Sequence, residues 1–182
     1  MSDLKTFSDS ISVHNKRVIV RLDLNVPISN SKIDDLTRIK IIEPFINRLI
    51  QNKAKVILLT HLGRPRGKIV SELSLEPIFN YLKENLNDKI FFYKKRIDNN
   101  AIEASKKINP GEALLFENIR FSIEEDNDDE TFAKTLSNLG EIYINEAFSC
   151  SHRKQASIHK IVKFIESYAG PILKKEIDSI DL

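Results

Sequence analysis

Glycine is scarce: the 182 residues hold five, at Gly63, Gly67, Gly111, Gly140 and Gly170. They form neither a G-x-x-x-x-G-K-[ST] loop nor a G-x-G-x-x-G fingerprint. Loops that wrap nucleotide phosphates with backbone N–H groups need glycine for close approach and positive φ. Neither of those nucleotide sites is present, which argues against a dinucleotide-dependent oxidoreductase. The single cysteine, Cys150, forms no internal disulfide, as expected in a reducing compartment. No run of eighteen apolar residues exists to cross a membrane. The polar start, MSDLKTFSDS, lacks the apolar centre of a secretory signal, so the cytoplasm is the expected location. Charge of one sign is lacking too. The 28 basic and 26 acidic residues leave a net +2, too even for a nucleic-acid footprint. Any anion site must therefore arise from where charges are placed, not from their excess.

With 41% hydrophobic and 30% charged residues, the composition is that of an ordinary globular domain, and the length suits one. Strands are expected at 18–24 (VIVRLDL), 56–60 (VILLT), 90–93 (IFFY), 113–116 (ALLF) and 142–144 (IYI). Their nearly continuous apolar character suits a parallel sheet covered on both faces. Between them run amphipathic stretches. Residues 38–51 place Ile39, Ile42, Phe45, Ile46, Leu49 and Ile50 at helical spacing, with a kink or fresh start expected at Pro44. Residues 74–86 start with Ser74 as an N-cap, and 99–108, 129–139, 153–165 and 171–180 complete the helices. This alternation predicts an α/β fold with right-handed crossovers. The acidic run 124–130 (EEDNDDE) is expected to be a solvated loop entering a helix, a cation site being the alternative.

Ligands of open α/β sheets bind beyond the carboxyl ends of the strands. There the sequence places Asp23 and Asn25, His61 and Arg64, Asn118 and Arg120, then Asn145, His152 and Arg153, with Arg38 opening the first helix. Four of the nine arginines and two of the four histidines fall in these segments. The planar guanidinium fork matches phosphate and carboxylate, so their convergence predicts a clamp for a small, multiply charged anion. Asp23 and Asn25 add groups suited to a hydroxyl, and a triose phosphate acid fits such a pocket. Each residue alone has a plainer role as a surface ion pair or cap. Arg21, inside a strand, is expected to make an internal ion pair, and Cys150 to be a small packing residue.

The same segments resemble the N-terminal domain of the phosphoglycerate kinase family. The matching stretches are VRLDLNVP, TRI at 37–39, KVILLTHLGRPRG, ALLFENIRF, INEAF, SHR at 151–153 and SYAG at 167–170, in family order across essentially the whole chain. The resemblance implies a three-layer, Rossmann-like α/β domain with a parallel sheet of about six strands and helices on both faces. Residues 1–169 would form the substrate-binding domain and 170–182 the start of an interdomain helix, the C-terminal nucleotide-binding domain being absent. It implies that Asp23 and Asn25 bind the glycerate hydroxyl end. His61, Arg64, Arg120 and Arg153 would form a basic patch for the non-transferring phosphate. Leu24, Leu62 and Gly63 would belong to the same substrate-binding segments. Arg38 would contact the carboxylate and act as the catalytic arginine. Substrates would be 3-phosphoglycerate or 1,3-bisphosphoglycerate, exchanging a phosphoryl group with Mg-ATP or ADP in the full-length enzyme. No cofactor, metal, nucleic acid or membrane is expected for this chain, which is expected to be monomeric and inactive alone. Ser149, Glu146, Gln155 and Leu36 depart from the usual family pattern. The alternative is a stand-alone, non-catalytic module for another phosphate-bearing ligand or a protein partner.

Overall fold

The computed structural model describes residues 4–86 and 88–180; the ends of the expected domain and helix, 1–3 and 181–182, lie outside them, as does Asn87. Eight strands and six helices follow one another along these residues. They are β1 Arg17–Arg21, β2 Ile28–Ser29, β3 Lys32–Ile33, α1 Thr37–Gln51, β4 Lys55–Leu59, α2 Glu76–Asn85, β5 Ile90–Tyr93, α3 Asn99–Lys107, β6 Ala113–Phe116, α4 Ile123–Asp126, α5 Glu130–Ser137, β7 Ile142–Asn145, β8 Glu166–Ala169 and α6 Pro171–Ile180. Six strands form one parallel sheet in the order β5-β6-β4-β1-β7-β8, while β2 and β3 pair as a small hairpin. From β1 the chain steps to β4, continues to the edge at β5, returns to place β6 between them, and then crosses β1 to β7 and β8. With all six strands parallel, the carboxyl ends of β6, β4, β1 and β7 lie side by side on one rim, with the change of direction beside β1.

Strand periodicity divides the core into two layers. Val18, Val20, Val56, Leu58, Leu115 and Ile144 face one side, where they pack on Ile39, Ile46 and Leu49 of α1 and on Ile78 and Leu82 of α2. Ile19, Ile57, Leu59, Leu114, Phe116 and Tyr143 face the other side, against Ala101 of α3 and Phe132, Ala133 and Leu136 of α5. The fold is the three-layer α/β arrangement expected. Burying each of these aliphatic side chains contributes roughly 1.5–3 kcal/mol, which outweighs weak local propensity.

Several local expectations change. Helix α1 continues from Thr37 to Gln51 with Pro44 inside it, so no fresh start occurs near Glu43; its apolar residues are buried on both sides of the proline. Ser74 lies just before α2 and caps it as expected, its Oγ accepting from Glu76 N at 3.2 Å. Its hydroxyl donates to Glu117 Oε2 at 2.7 Å, and Glu117 Oε1 accepts from Leu75 N at 2.8 Å. A carboxylate following β6 thus anchors the start of α2. Residues 153–165 are not one helix. They form two short turns, Ala156–Lys160 and Ile161–Lys163. The SYAG segment then becomes the sixth strand, its backbone pairing with β7.

The acidic run leads into α5 with Asp126, Asn127 and Glu130 exposed, as expected, but not all of it is solvated. Glu125 is fully buried, Asp126 meets Arg120, Asp128 meets His159 at 2.6 Å, and Asp129 caps α5 at Phe132 N. Among the described residues, no helix is long and apolar enough to cross a membrane.

Candidate functional site

The carboxyl ends of β1 and β4 are tied together by hydrogen bonds. Thr60 Oγ1 accepts from Leu24 N and donates to Leu22 O, both at 3.1 Å, and Asn25 Oδ1 accepts from Gly63 N at 2.9 Å. These links bring Asp23 and the 61–67 loop to one rim. Leu24 and Leu62 are buried in the core, with Leu24 N bonded to Thr60 and Leu62 O to Asn118, so they shape the rim from beneath.

Arg38 lies in the first turn of α1, whose N-terminus is capped by Asp35 accepting from Thr37 N at 2.8 Å. The helix dipole disfavours a cation there. Arg38 is held instead by Asp23, whose Oδ2 also accepts from Ser149 Oγ. Asp23, Arg38, Ser149, Glu146 and Phe148 line a cavity of about 300 Å³.

A second cavity of about 440 Å³ is lined by Arg64, Arg66, Arg120, His152 and Arg153, with Asp126 the one acidic group. The 149–153 turn supplies residues to both cavities. Arg120 is 3% exposed: Nη1 donates to Gly63 O at 2.9 Å and Nη2 to Gln155 Oε1 at 3.3 Å, while Nε lies 3.5 Å from Asp126. It braces the loops as much as it presents charge. Arg64 and Arg66 are exposed and Arg153 half-buried, so these guanidinium groups carry the accessible charge. Asn118 is structural, donating to Leu62 O at 2.7 Å and Leu73 O at 2.9 Å. Asn145 likewise accepts from Ala147 N.

The predicted residues thus fall into two groups, Asp23 with Arg38 and Arg64 with Arg120 and Arg153. His61 lies deeper and is 3% exposed. Burial, reinforced by Arg21, Arg120, Arg153 and Arg38, pushes its imidazole down to about 2. It is neutral at physiological pH and is not a cationic member of the patch. Its Nδ1 lies 3.2 Å from Arg21 Nη2, and its Nε2 lies 3.9 Å from Cys150 Sγ.

Asp23, His61 and Cys150 bring their donor atoms within 4.8 Å of one another. A cation on His61 Nε2 would force the ring proton onto Nδ1, against an Arg21 N–H, amid several guanidinium groups. That conflict makes the trio a poor metal site. Cys150 packs with Ala147 and Ile158.

Sequence reasoning missed Arg66 and the role of Ser149. The signal for Arg66 was its place in the glycine-bounded GRPRG loop; Ser149 was visible only as a departure from the family pattern. Among the described residues Arg21 makes no direct ion pair. Ser157 Oγ stands between it and Glu125.

A family model described as phosphoglycerate kinase matches residues 8–181. The phosphoglycerate kinase of Finegoldia magna is 45% identical over 176 residues, 96% of this chain and 44% of the relative. That of Maricaulis maris is 40% identical over 180 residues, 99% and 44% of the two chains. The solved structure of phosphoglycerate kinase from Coxiella burnetii superposes with a TM-score of 0.86 at 36% identity, covering 97% of this chain and 44% of that one. The chain spans a little under half the length of these relatives.

Proposed function

The chain belongs to the phosphoglycerate kinase family, and from that premise we propose that it forms the 3-phosphoglycerate-binding side of a cytoplasmic enzyme. That enzyme moves a phosphoryl group reversibly between 1,3-bisphosphoglycerate and ADP, giving 3-phosphoglycerate and ATP. In this reading residues 1–169 are assigned to the substrate domain, and α6, from Pro171, starts the helix that follows it. One observation carries this reading: Arg64, Arg66, Arg120, His152 and Arg153 surround a single cavity at the carboxyl edge of the sheet.

In this proposal the non-transferring phosphate lies among Arg64, Arg66, Arg120 and Arg153, where charge-assisted, forked hydrogen bonds favour a phosphate dianion. The Asn25 side chain, the Gly63 loop and the Leu24 and Leu62 backbone set the distance from that phosphate to Asp23, which accepts from the substrate hydroxyl. His61 contributes a neutral contact. Arg38 exchanges Asp23 for the substrate carboxylate and neutralises charge on the phosphoryl group in transfer. An arginine in that role is worth on the order of 4–7 kcal/mol in the transition state. Magnesium and the nucleotide are held by residues other than these 182, so this chain binds substrate without turning it over alone.

Titration calorimetry of the chain with 3-phosphoglycerate tests the reading. Arg38→Ala and Arg64→Ala should each weaken binding about 10–100-fold, the range for loss of a charge-assisted hydrogen bond. Unchanged affinity in both variants would overturn the site.

A further inference from the structure

A chain of buried polar groups runs behind the site and ends on His61. Glu125 in α4 is fully buried, and its two oxygens accept from Ser157, Oε1 from the hydroxyl at 2.6 Å and Oε2 from the backbone N–H at 2.9 Å. With its proton committed to Glu125, the Ser157 hydroxyl meets Arg21 Nε–H as an acceptor, at 2.9 Å. Arg21, 0% exposed, also donates from Nη1 to Leu22 O and places Nη2 3.2 Å from His61 Nδ1. Tyr143 OH fixes the far end by donating to Ser157 O at 2.6 Å. Ser157 lies in a single wide turn, closed from Ile161 N to Ala156 O, of the kind often found beside functional sites.

We propose that Glu125, Ser157 and Arg21 are positioning residues that hold the His61 ring in the tautomer carrying its only proton on Nε2, on the side of Cys150 Sγ and the Asp23 carboxylate. The direction follows from donor chemistry. A guanidinium has five N–H donors, no acceptor, and does not give up its proton. The ring nitrogen facing Arg21 Nη2 must therefore be the bare lone pair, which excludes both the Nδ1–H tautomer and the imidazolium. Burial among several guanidinium groups, which pushes the imidazole down to about 2, acts in the same sense.

The remaining N–H meets only a weak partner, Cys150 Sγ at 3.9 Å, with the Asp23 carboxylate in the same cluster. It is left to donate to an anion oxygen without adding another positive charge among the arginines. Burial raises the Glu125 carboxyl above its ordinary value, while Arg21 and the two Ser157 hydrogen bonds act in the opposite sense; in its ionised form Glu125 offsets Arg21 across the Ser157 hydroxyl. Lysine would not replace Arg21, because a point ammonium does not span Ser157, Leu22 O and His61 in one fixed fork. The tautomer stands on geometry alone; its use toward a phosphate oxygen rests on the function proposed above.

Long-range ¹H–¹⁵N correlation spectra of the whole chain read the ring nitrogens directly, with His61 identified by its absence in His61→Gln. The expected pattern is a protonated Nε2 and a bare Nδ1, unchanged from pH 5 to pH 8. A protonated Nδ1, or an imidazolium that titrates in that range, overturns the relay. Ser157→Ala and Glu125→Gln should then mix the tautomers and weaken 3-phosphoglycerate about tenfold, with Ser157→Thr restoring both. A folded Ser157→Ala chain that keeps a pure Nε2–H ring overturns the part assigned to Ser157 and Glu125. If either variant fails to fold, the wild-type spectrum still decides the tautomer. A wild-type chain with the expected tautomer but no affinity for 3-phosphoglycerate sinks the proposed function and leaves the relay standing. The reverse result sinks the relay alone.

Discussion

Arg38 Nη1 and Asp23 Oδ2 are joined in an ion pair that engages both groups. Arg38 is 48% exposed and Asp23 11%, and Ser149 holds the carboxylate from its other side. Any anion that recruits Arg38 must displace Asp23. Asp23→Asn should therefore strengthen inorganic phosphate binding about threefold, the size expected from removing one screened negative charge nearby. The same change should weaken 3-phosphoglycerate, which loses the acceptor for its hydroxyl. Calorimetry with both ligands at one ionic strength checks this, and parallel losses would show that Asp23 does not compete for Arg38.

Arg64 and Arg120 line one cavity, yet they should respond differently to mutation. Arg120 holds Gly63 O and Gln155 and lies beside Asp126, so Arg120→Ala strands buried partners and should cost about 2–3 kcal/mol. Arg64 is exposed, and Arg64→Ala should stay within about 0.5 kcal/mol of wild type in urea unfolding. Both should lose 3-phosphoglycerate affinity. A stable Arg120→Ala chain would disprove the bracing role.

The loop carrying Arg66 turns through two left-handed residues, Arg66 at φ +54° and Gly67 at φ +77°, and closes with Lys68 N donating to Pro65 O at 3.2 Å. A Cβ on Gly67 would lie 2.6 Å from Ile123 Cβ. Gly67→Ala meets both backbone strain and a clash, and should cost about 2–3 kcal/mol. Arg66→Gly relieves the left-handed strain and should gain about 0.5 kcal/mol while weakening phosphate binding. Urea unfolding alongside phosphate titration measures the two effects. An Arg66→Gly chain that binds as well as wild type would remove Arg66 from the site.

The sheet was legible because its strands are apolar on both faces, a pattern that survives in sequence. The rim was legible because Asp23, Arg38, Arg64, Arg120 and Arg153 follow strand ends or open a helix. What local reasoning missed depends on partners distant in sequence. Glu125 looks like part of a solvated acidic run until Ser157, 32 residues away, is seen to take both its oxygens. His61 looks like a cation until its burial among arginines is known. Residues 153–165 have helical periodicity, but docking Ser157 on Glu125 and pairing residues 166–169 with β7 override it.

Glu146 links the site to α6 and should make stability depend on pH. Its Oε2 accepts from Ile172 N at 3.0 Å and Leu173 N at 2.9 Å, and the carboxyl packs so closely on Gly170 that a Cβ there would lie 2.1 Å from Cδ. Oε1 is buried without a partner. Burial pushes this carboxyl up to about 7, against the opposing pull of the two helix N–H groups and Arg48. A folded-state value above the unfolded one means the fold binds the proton more tightly. The resulting stabilisation is complete below about pH 4.5 and is lost as pH rises through 7, on the order of 3 kcal/mol in all. Other carboxylates titrate as well, so the informative quantity is the difference between Glu146→Gln and wild type. The glutamine mimics the protonated acid, so that difference should move steadily in its favour from pH 4.5 to pH 7.5 in urea unfolding. A difference that stays flat, or moves the other way, would mean that Glu146 is ionised throughout and that the start of α6 carries a settled negative charge on the cavity that Arg38 also lines.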